Sequence, residues 1–519
     1  MGERFFQRMN SWSIERFIRF ARRSLAAGVA GLSVMVLSAA VPKPDRDAVT
    51  FSVPGGVFTN ELRVALATAE PADIRFTLDG SEPGKKSPIY KAPVPINECA
   101  VLRARAFYPD GRASGAASQS YVLLGNEVRK FNSHLPLVVV NAAGGEIESD
   151  EKSFAGLHVL ANQPERTTLP DRADFSGLAL LRVRGFTSAR YDKHSYAVKI
   201  VNDLREPQKA SILQLPRESD WVLYGPYPDK TLLRDVLAYE LGNAMGAWAP
   251  RTRFVEVFLN EGRGKLGMEH YLGLYVFEEK ITRDKARVSI AKLGPGDTRE
   301  PEITGGYIFK KDHAERGGRG RGNGGGPPMG GAPMLRGGFP TAAGGFPAAP
   351  EGFLPSLNGE AGSRNNGRGP VRMTRGLERG PVAPRAITNL LAGPVRQMNR
   401  LEESQVFPNA DSFTTAFQGN TFYYVEPEPD EITAVQRAWL RDYLNRFETA
   451  LYGPDFADPQ KGYQAFMDRD SFIDFHLLSE VTKNVDAFRF STFYHKERGQ
   501  RLKMGPLWDW NLSFGNCEG

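Results

Sequence analysis

The chain has 519 residues, 41% of them hydrophobic and 24% charged, enough for two to four units at roughly 150 residues per domain. Its net charge of +6 is unevenly placed: six Arg against two Glu in residues 1–40 and twelve Arg against four Glu in 313–400 leave −6 for the remainder. That balance disfavours a basic nucleic-acid-binding body, and the two cysteines, Cys99 and Cys517, exclude a disulfide scaffold and a thiolate zinc site.

Residues 1–40 read as an export signal. A basic start from Arg4 to Arg23 precedes an uncharged run from Ser24 to Pro42, within which Ser38-Ala39-Ala40 suits a signal peptidase. Cleavage after Ala40 is expected. The alternative is an uncleaved anchor, since about 18 to 19 uncharged residues can just cross a bilayer, and this is the only membrane contact expected. Export gives a bacterial secreted, periplasmic or cell-surface location.

Residues 50–123 read as a small all-β unit. Thr50-Phe-Ser-Val, Leu62-Arg-Val-Ala-Leu, Asp73-Ile-Arg-Phe-Thr and Val101-Leu-Arg-Ala-Arg-Ala-Phe alternate in polarity, with turns at Asp79-Gly80 and Asp110-Gly111. The stretch Phe76-Thr-Leu-Asp-Gly-Ser-Glu-Pro83 with Ser87-Pro-Ile-Tyr90 resembles the small β-sandwich appended to chitobiases and hexosaminidases. The resemblance implies an accessory unit, either a spacer or packing module or a glycan contact.

Residues 133–519 have the composition of an α+β domain. Strand-like runs are Leu135-Pro-Leu-Val-Val-Val140, Ala179-Leu-Leu-Arg-Val-Arg184, Tyr196-Ala-Val-Lys-Ile-Val201, Phe254-Val-Glu-Val-Phe258 and Gly273-Leu-Tyr-Val-Phe277. Leu232, Leu233, Val236, Leu237, Tyr239 and Leu241, preceded by Asp229, predict a helix with an apolar stripe, and Ile432 to Tyr452 predicts a longer one. Between them, residues 315–399 are rich in Gly, Pro and Arg and poor in aliphatics; too little apolar surface is available to offset the ordering entropy, so a disordered insertion is expected. Its Gly320-x-Gly322-x-x-Gly325 lacks the flanking strand and helix of a dinucleotide fingerprint.

Several motifs in this domain fall in a characteristic order. They are Arg182-Val-Arg-Gly185, Lys193-His-Ser-Tyr-Ala-Val-Lys-Ile200, Asp220-Trp-Val-Leu-Tyr-Gly-Pro226, Asp229-Lys-x-x-Leu-Arg234 and Gly273-Leu-Tyr-Val-Phe-Glu-Glu-Lys280. Further on come Gly305-Gly-Tyr-Ile-Phe-Lys-Lys311, Lys483-Asn-Val-Asp486 and Gly505-Pro-Leu-Trp-Asp-Trp510. The series resembles the CotH spore-coat kinase family, which includes kinases of protein serine and threonine as well as proteins without shown activity. The resemblance implies an atypical protein-kinase-like fold and an exported enzyme that transfers the γ-phosphate of ATP, with Mg²⁺ or Mn²⁺, to a secreted or surface protein.

Phosphoryl transfer asks for a cation on the phosphates, carboxylate held to metal, and a carboxylate near the attacking hydroxyl. By analogy Asp486 is the base and Asp509 the metal ligand. Lys199 resembles the nucleotide-binding strand lysine, Glu240 its helical partner, and Arg234 a phosphate contact or an ion-pair partner of Glu240. Two positions depart from the kinase pattern: Ser491 stands where an amide ligand is usual and Asn511 where a second aspartate is usual, which implies one strong metal site rather than two. The chain stops at Gly519, where relatives continue, so the resemblance also implies a fragment lacking the cover of Trp508 and Trp510. No His-Glu-x-x-His or Gly-x-Ser-x-Gly supports metalloprotease or hydrolase chemistry. The alternative function is a non-catalytic cell-surface scaffold or a wall- or glycan-binding protein that retains the fold.

Overall fold

The computed structural model describes residues 48–161, 166–185, 188–312 and 411–516. The export signal, the 315–399 insertion and Cys517 lie outside these residues.

The N-terminal unit is a β-sandwich-type domain. Its largest sheet orders Gly56–Phe58, Ala117–Leu123, Ala100–Phe107 and Asp73–Thr77, and short pairs join Thr50–Phe51 to Leu66–Ala67 and Leu62–Val64 to Val94–Ile96. Val64, Ile96, Leu102 and Tyr121 fill its core. The Asp79-Gly80 turn forms as the sequence predicts: Gly80 is left-handed at φ 75°, and the Asp79 carboxylate accepts the Ser81 amide at 3.0 Å.

Seven strands then close a barrel. They are β1 (Leu137–Asn141), β2 (Ser153–Leu160), β3 (Phe175–Arg184), β4 (Ser195–Val201), β5 (Asp220–Tyr224), β6 (Thr252–Asn260) and β7 (Tyr271–Glu279). Their order is β1-β2-β3-β4-β5-β7-β6, and a parallel β1–β6 pairing closes the ring. Alternate residues point inward, so Ala179, Leu181 and Val183 of β3, Val198 of β4, Trp221 of β5 and Phe277 of β7 share one core.

The sandwich and the barrel share a second core. Val122 and Leu124 pack with Leu137, Val139 and Phe258, and Cys99 is buried among them. The Cys99 amide donates to the Gly264 carbonyl at 2.7 Å, and the Leu266 amide donates to Leu123 at 2.7 Å. Asn141, fully buried, donates to the carbonyls of Ala100 and Tyr121. The sandwich thus packs directly against the barrel.

After the barrel, β8 (Tyr307–Lys311), β9 (Ser412–Thr414), β10 (Thr421–Glu426), β11 (Thr492–Lys496) and β12 (Lys503–Met504) form an antiparallel sheet ordered β9-β10-β8-β11-β12. Three α-helices stand among the described residues: α1 (Arg234–Ala244), α2 (Ala434–Tyr452) and α3 (Arg469–Thr482). Thr433 and Gln436 cap the start of α2 reciprocally, and Leu440 and Leu444 seat it against Phe309 and Phe422. Strand dominates over helix, so the α+β expectation holds only in part.

Two local expectations are corrected. The face of α1 that is buried is Asp235, Ala238, Tyr239 and Gly242, while Leu233 and Leu237 are exposed. Gly242 shows why: a Cβ there would lie 2.5 Å from Leu507 Cδ1, so the helix is pressed onto the chain just before Asp509. Trp510 is also not left uncovered; it is 1% exposed beneath Ala238, Phe475 and Leu478.

Candidate active site

The start of α1 is fixed by one buried carboxylate. Asp229 accepts the amides of Thr231 and Arg234 at 3.0 and 2.9 Å, and the Arg234 guanidinium pairs with the same group. Arg234 is therefore committed to Asp229 and makes no pair with Glu240. Glu240 follows the buried Tyr239 by one residue and is exposed, because a 100° step turns it away from the packed face. Its expected partner Lys199 instead bonds Asp220, directly opposite on β5, at 3.0 Å, with Lys280 at 3.6 Å from the same carboxylate. Burial works against the charged Asp220, but Lys280 and Lys199 outweigh it and hold the carboxyl below its ordinary range. These three residues line an open cleft of about 400 Å³ together with Lys209, Glu426 and Glu428.

A second cluster forms where α1 meets the loops after α3 and β12. Helix α3 ends on Lys483 in the left-handed conformation, and the following loop carries Asp486, whose carbonyl accepts the amides of Arg489 and Phe490 at 3.0 and 3.1 Å. Phe488, Ser491 and Asp509 are left-handed at φ 68°, 50° and 61°. Each such non-glycine residue costs on the order of 1–3 kcal/mol, and three on these two loops mark a place where geometry outranks local stability.

Ser491 Oγ donates to Asp509 Oδ2 at 3.3 Å. The Asp509 amide donates to the Tyr239 hydroxyl at 3.1 Å, and the next amide, of Trp510, donates to Asp235 Oδ1 at 2.5 Å. Residues 235 and 239 are one helical turn apart, so one face of α1 clamps both amides. Trp510 Nε1 donates to Thr482 Oγ1 at 2.9 Å, tying the same loop to the end of α3. Asn511 lies against the Tyr224 hydroxyl.

The electrostatics of this cluster are those of crowded acids. Burial, and then the charge of Asp509, pushes Asp235 up to about 7. Burial and the charge of Asp235 raise Glu278 well above the carboxylate range. Asp509 is reached by solvent, yet dense protein around it raises its carboxyl, against the pull of Arg184 and with the push of Asp312 and Asp486. Arg184 lies 3.9 Å from Glu278 and 5.0 Å over the Trp508 ring. Asp235 Oδ2 and Glu278 Oε2 are buried without a hydrogen-bond partner.

The structure thus brings Asp486, Asp509, Ser491 and Asn511 to one cluster and leaves Lys199, Arg234 and Glu240 out of it. Sequence reasoning missed Asp235, Glu278 and Arg184. Arg184 and Glu278 lay inside motifs and Asp235 one residue past the end of one; only the true buried face of α1, with Ala238 and Gly242 spaced about Asp235, could have singled out Asp235. Among the described residues, no group of three or more His, Cys, Asp or Glu side chains is arranged to hold a metal ion.

Comparison with known families identifies the domain that holds this arrangement. Residues 181–317 and 403–519 match the CotH kinase protein family, and the blocks holding Arg184, Asp235, Glu278, Asp486 and Asp509 all fall inside the match. This part of the chain belongs to the CotH family. Residues 53–118 match the chitobiase/beta-hexosaminidase C-terminal domain, in keeping with the sandwich. A comparison with curated proteins returned no match. The CotH domain is kinase-like by membership, and its candidate active site is the cluster around Asp509.

Proposed function

We propose that the chain is an exported CotH-type protein kinase that transfers the γ-phosphate of ATP to a serine or threonine of a secreted or surface protein. The observation that carries this reading is that Asp486 lies near enough for its charge to act on Asp509, both on loops with left-handed residues, the Asp509 loop held also by its clamped amides. Asp486 accepts the proton of the acceptor hydroxyl as its oxygen bonds to the γ-phosphorus. The bond from that phosphorus to the bridging oxygen breaks, and ADP leaves with the electron pair.

The residues fit a magnesium or manganese ion. The donors are all oxygen, from Asp509, Ser491 and Asn511, and the buried oxygens of Asp235 and Glu278 that lack partners mark the same spot as short of positive charge. One protein carboxylate with a hydroxyl and an amide suits an ion held mostly by phosphate and water. When bound, the ion neutralises charge on the phosphates. Lys199 stands in the neighbouring cleft, on the nucleotide's path, while Arg234 and Glu240 have no part in this reading because they face Asp229 and solvent.

Export rests on the basic and then apolar run of residues 1–40. No helix among the described residues is long and apolar enough to cross a membrane. A second reading, a non-catalytic surface scaffold or a wall- or glycan-binding protein, is favoured by one observation: Ser491 and Asn511 leave Asp509 as the single carboxylate at the metal position. A thermal-shift titration separates the two. A rise in melting temperature with ATP and Mg²⁺ together supports the kinase, and no response to either favours the scaffold.

A further inference from the structure

We propose that Arg184, and not Lys199, is the cation that meets the phosphates of the nucleotide; this rests on the kinase reading above. The alternation of the barrel strands sets the frame. With Ala179, Leu181 and Val183 in the barrel core, Arg182 and Arg184 of β3 stand on its outer face. The same count places Ala197 and Lys199 of β4, Asp220, Val222 and Tyr224 of β5, and Glu278 of β7 on that face. Register then orders them. Lys199 is opposite Asp220, Ala197 is opposite Val222, Val222 is opposite Glu278, and Arg184 is opposite Ser195. Rows 195 and 199 are four residues apart on β4, about 13 Å at roughly 3.3 Å per residue.

Arg184 and Lys199 therefore stand in different rows of one face; in the row between them Arg182 lies opposite Ala197, and Val222, opposite Ala197 on β5, is 1% exposed. At one end Lys199 is neutralised by Asp220 at 3.0 Å, and Lys280 shares that carboxylate. At the other end the guanidinium of Arg184, propped on the Trp508 ring, meets Glu278 at 3.9 Å and acts on Asp509. The Asp509 carboxylate repels a polyphosphate unless a fixed positive charge stands beside it, and Arg184, 3.9 Å from Glu278, is a cation that acts on Asp509. Its planar fork also suits two phosphate oxygens at once. The nucleotide then lies with its phosphates between Arg184 and Asp509 and its base toward the Lys199 cleft.

The test is equilibrium dialysis of the full-length protein against ATP and against adenosine, with Mg²⁺ present. Arg184→Met is expected to weaken ATP binding tenfold or more and leave adenosine binding unchanged. Lys199→Met is expected to weaken both by the same factor. Arg184→Lys keeps the charge beside Glu278, so the fold is retained, and loss of the fork alone is expected to cost ATP affinity and no adenosine affinity. Unchanged ATP binding in Arg184→Met, or a selective loss of ATP binding in Lys199→Met, overturns the assignment. A wild-type protein that binds neither ligand overturns the kinase reading itself, which distinguishes the two failures.

Discussion

The carboxylate of Asp235 accepts the backbone amide of Trp510 at 2.5 Å, so a buried residue of α1 sets the position of the chain immediately after Asp509. Tyr239, one turn further along, takes the Asp509 amide in the same way. The helix thus acts as a rigid bracket for the loop that carries the metal-side carboxylate.

Removing the bracket has a measurable cost. Asp235→Ala leaves the Trp510 amide buried without an acceptor and is expected to destabilise the protein by about 1–3 kcal/mol, read as a lower urea midpoint at unchanged m-value. Asp235→Asn keeps an acceptor for that amide and is expected to lie between wild type and alanine. Equal midpoints for all three proteins would remove the bracket from the argument.

The junction between sandwich and barrel is equally exposed to test. Gly156 of β2 approaches Ser120 so closely that a Cβ would lie 1.9 Å from its Oγ and 2.1 Å from its Cβ. Gly156→Ala is expected to cost about 1–3 kcal/mol by overpacking, and thermal unfolding monitored in both units should fall together. Deleting residues 48–124 strips the cover from Leu137, Val139 and Phe258, so that product is expected to aggregate. A soluble, cooperatively folding barrel would show that the sandwich is a detachable spacer.

The same junction carries a pH dependence. His158 sits between Ser120 and Ser176, 3.0 Å from each hydroxyl, and burial lowers its pKa to about 4. Between the ordinary histidine value near 6.5 and 4, the unfolded chain binds a proton that the folded one does not, so stability falls as pH falls through that window. The slope is at most about 1.4 kcal/mol per pH unit. His158→Gln is expected to flatten this part of the stability profile; a parallel profile in wild type and variant would show that His158 is not its source.

Much of this was legible in the sequence, for reasons that differ between fold and site. Five strands of the barrel, β1, β3, β4, β6 and β7, were legible as apolar runs, whereas β2 and β5 were not read as strands; the Asp79-Gly80 turn was legible because glycine is needed at a positive φ. The helix α1 was legible as a helix but not as a face. Leucines usually mark the buried stripe, yet here the packed side is Ala238 and Gly242, chosen for close approach to Leu507. The same inversion hid Asp235 and put Glu240 in its place. Asp486 and Asp509 could be named from their motifs, whereas Arg184 and Glu278 join them only through cross-strand register, which one strand at a time does not reveal.

Metal dependence distinguishes the two ends of the site. Asp509→Asn is expected to raise the Mg²⁺ concentration needed for half-maximal stabilisation by ATP by roughly tenfold or more, the scale on which even outer ligands alter metal affinity. Adenosine binding, which needs no phosphate contact, is expected to stay unchanged. An unaltered Mg²⁺ titration would make Asp509 a structural residue.

The most direct test of the central claim is phosphate transfer itself. Full-length protein is incubated with ATP radiolabelled at the γ-position and Mg²⁺ or Mn²⁺, with dephosphorylated casein as a generic acceptor, and label is followed on casein and on the protein. Wild type is expected to place label on serine or threonine, and Asp486→Ala to lose that transfer by about a hundredfold or more while unfolding at the same temperature. Equal labelling by wild type and Asp486→Ala, or none by wild type in either metal, would contradict the assignment.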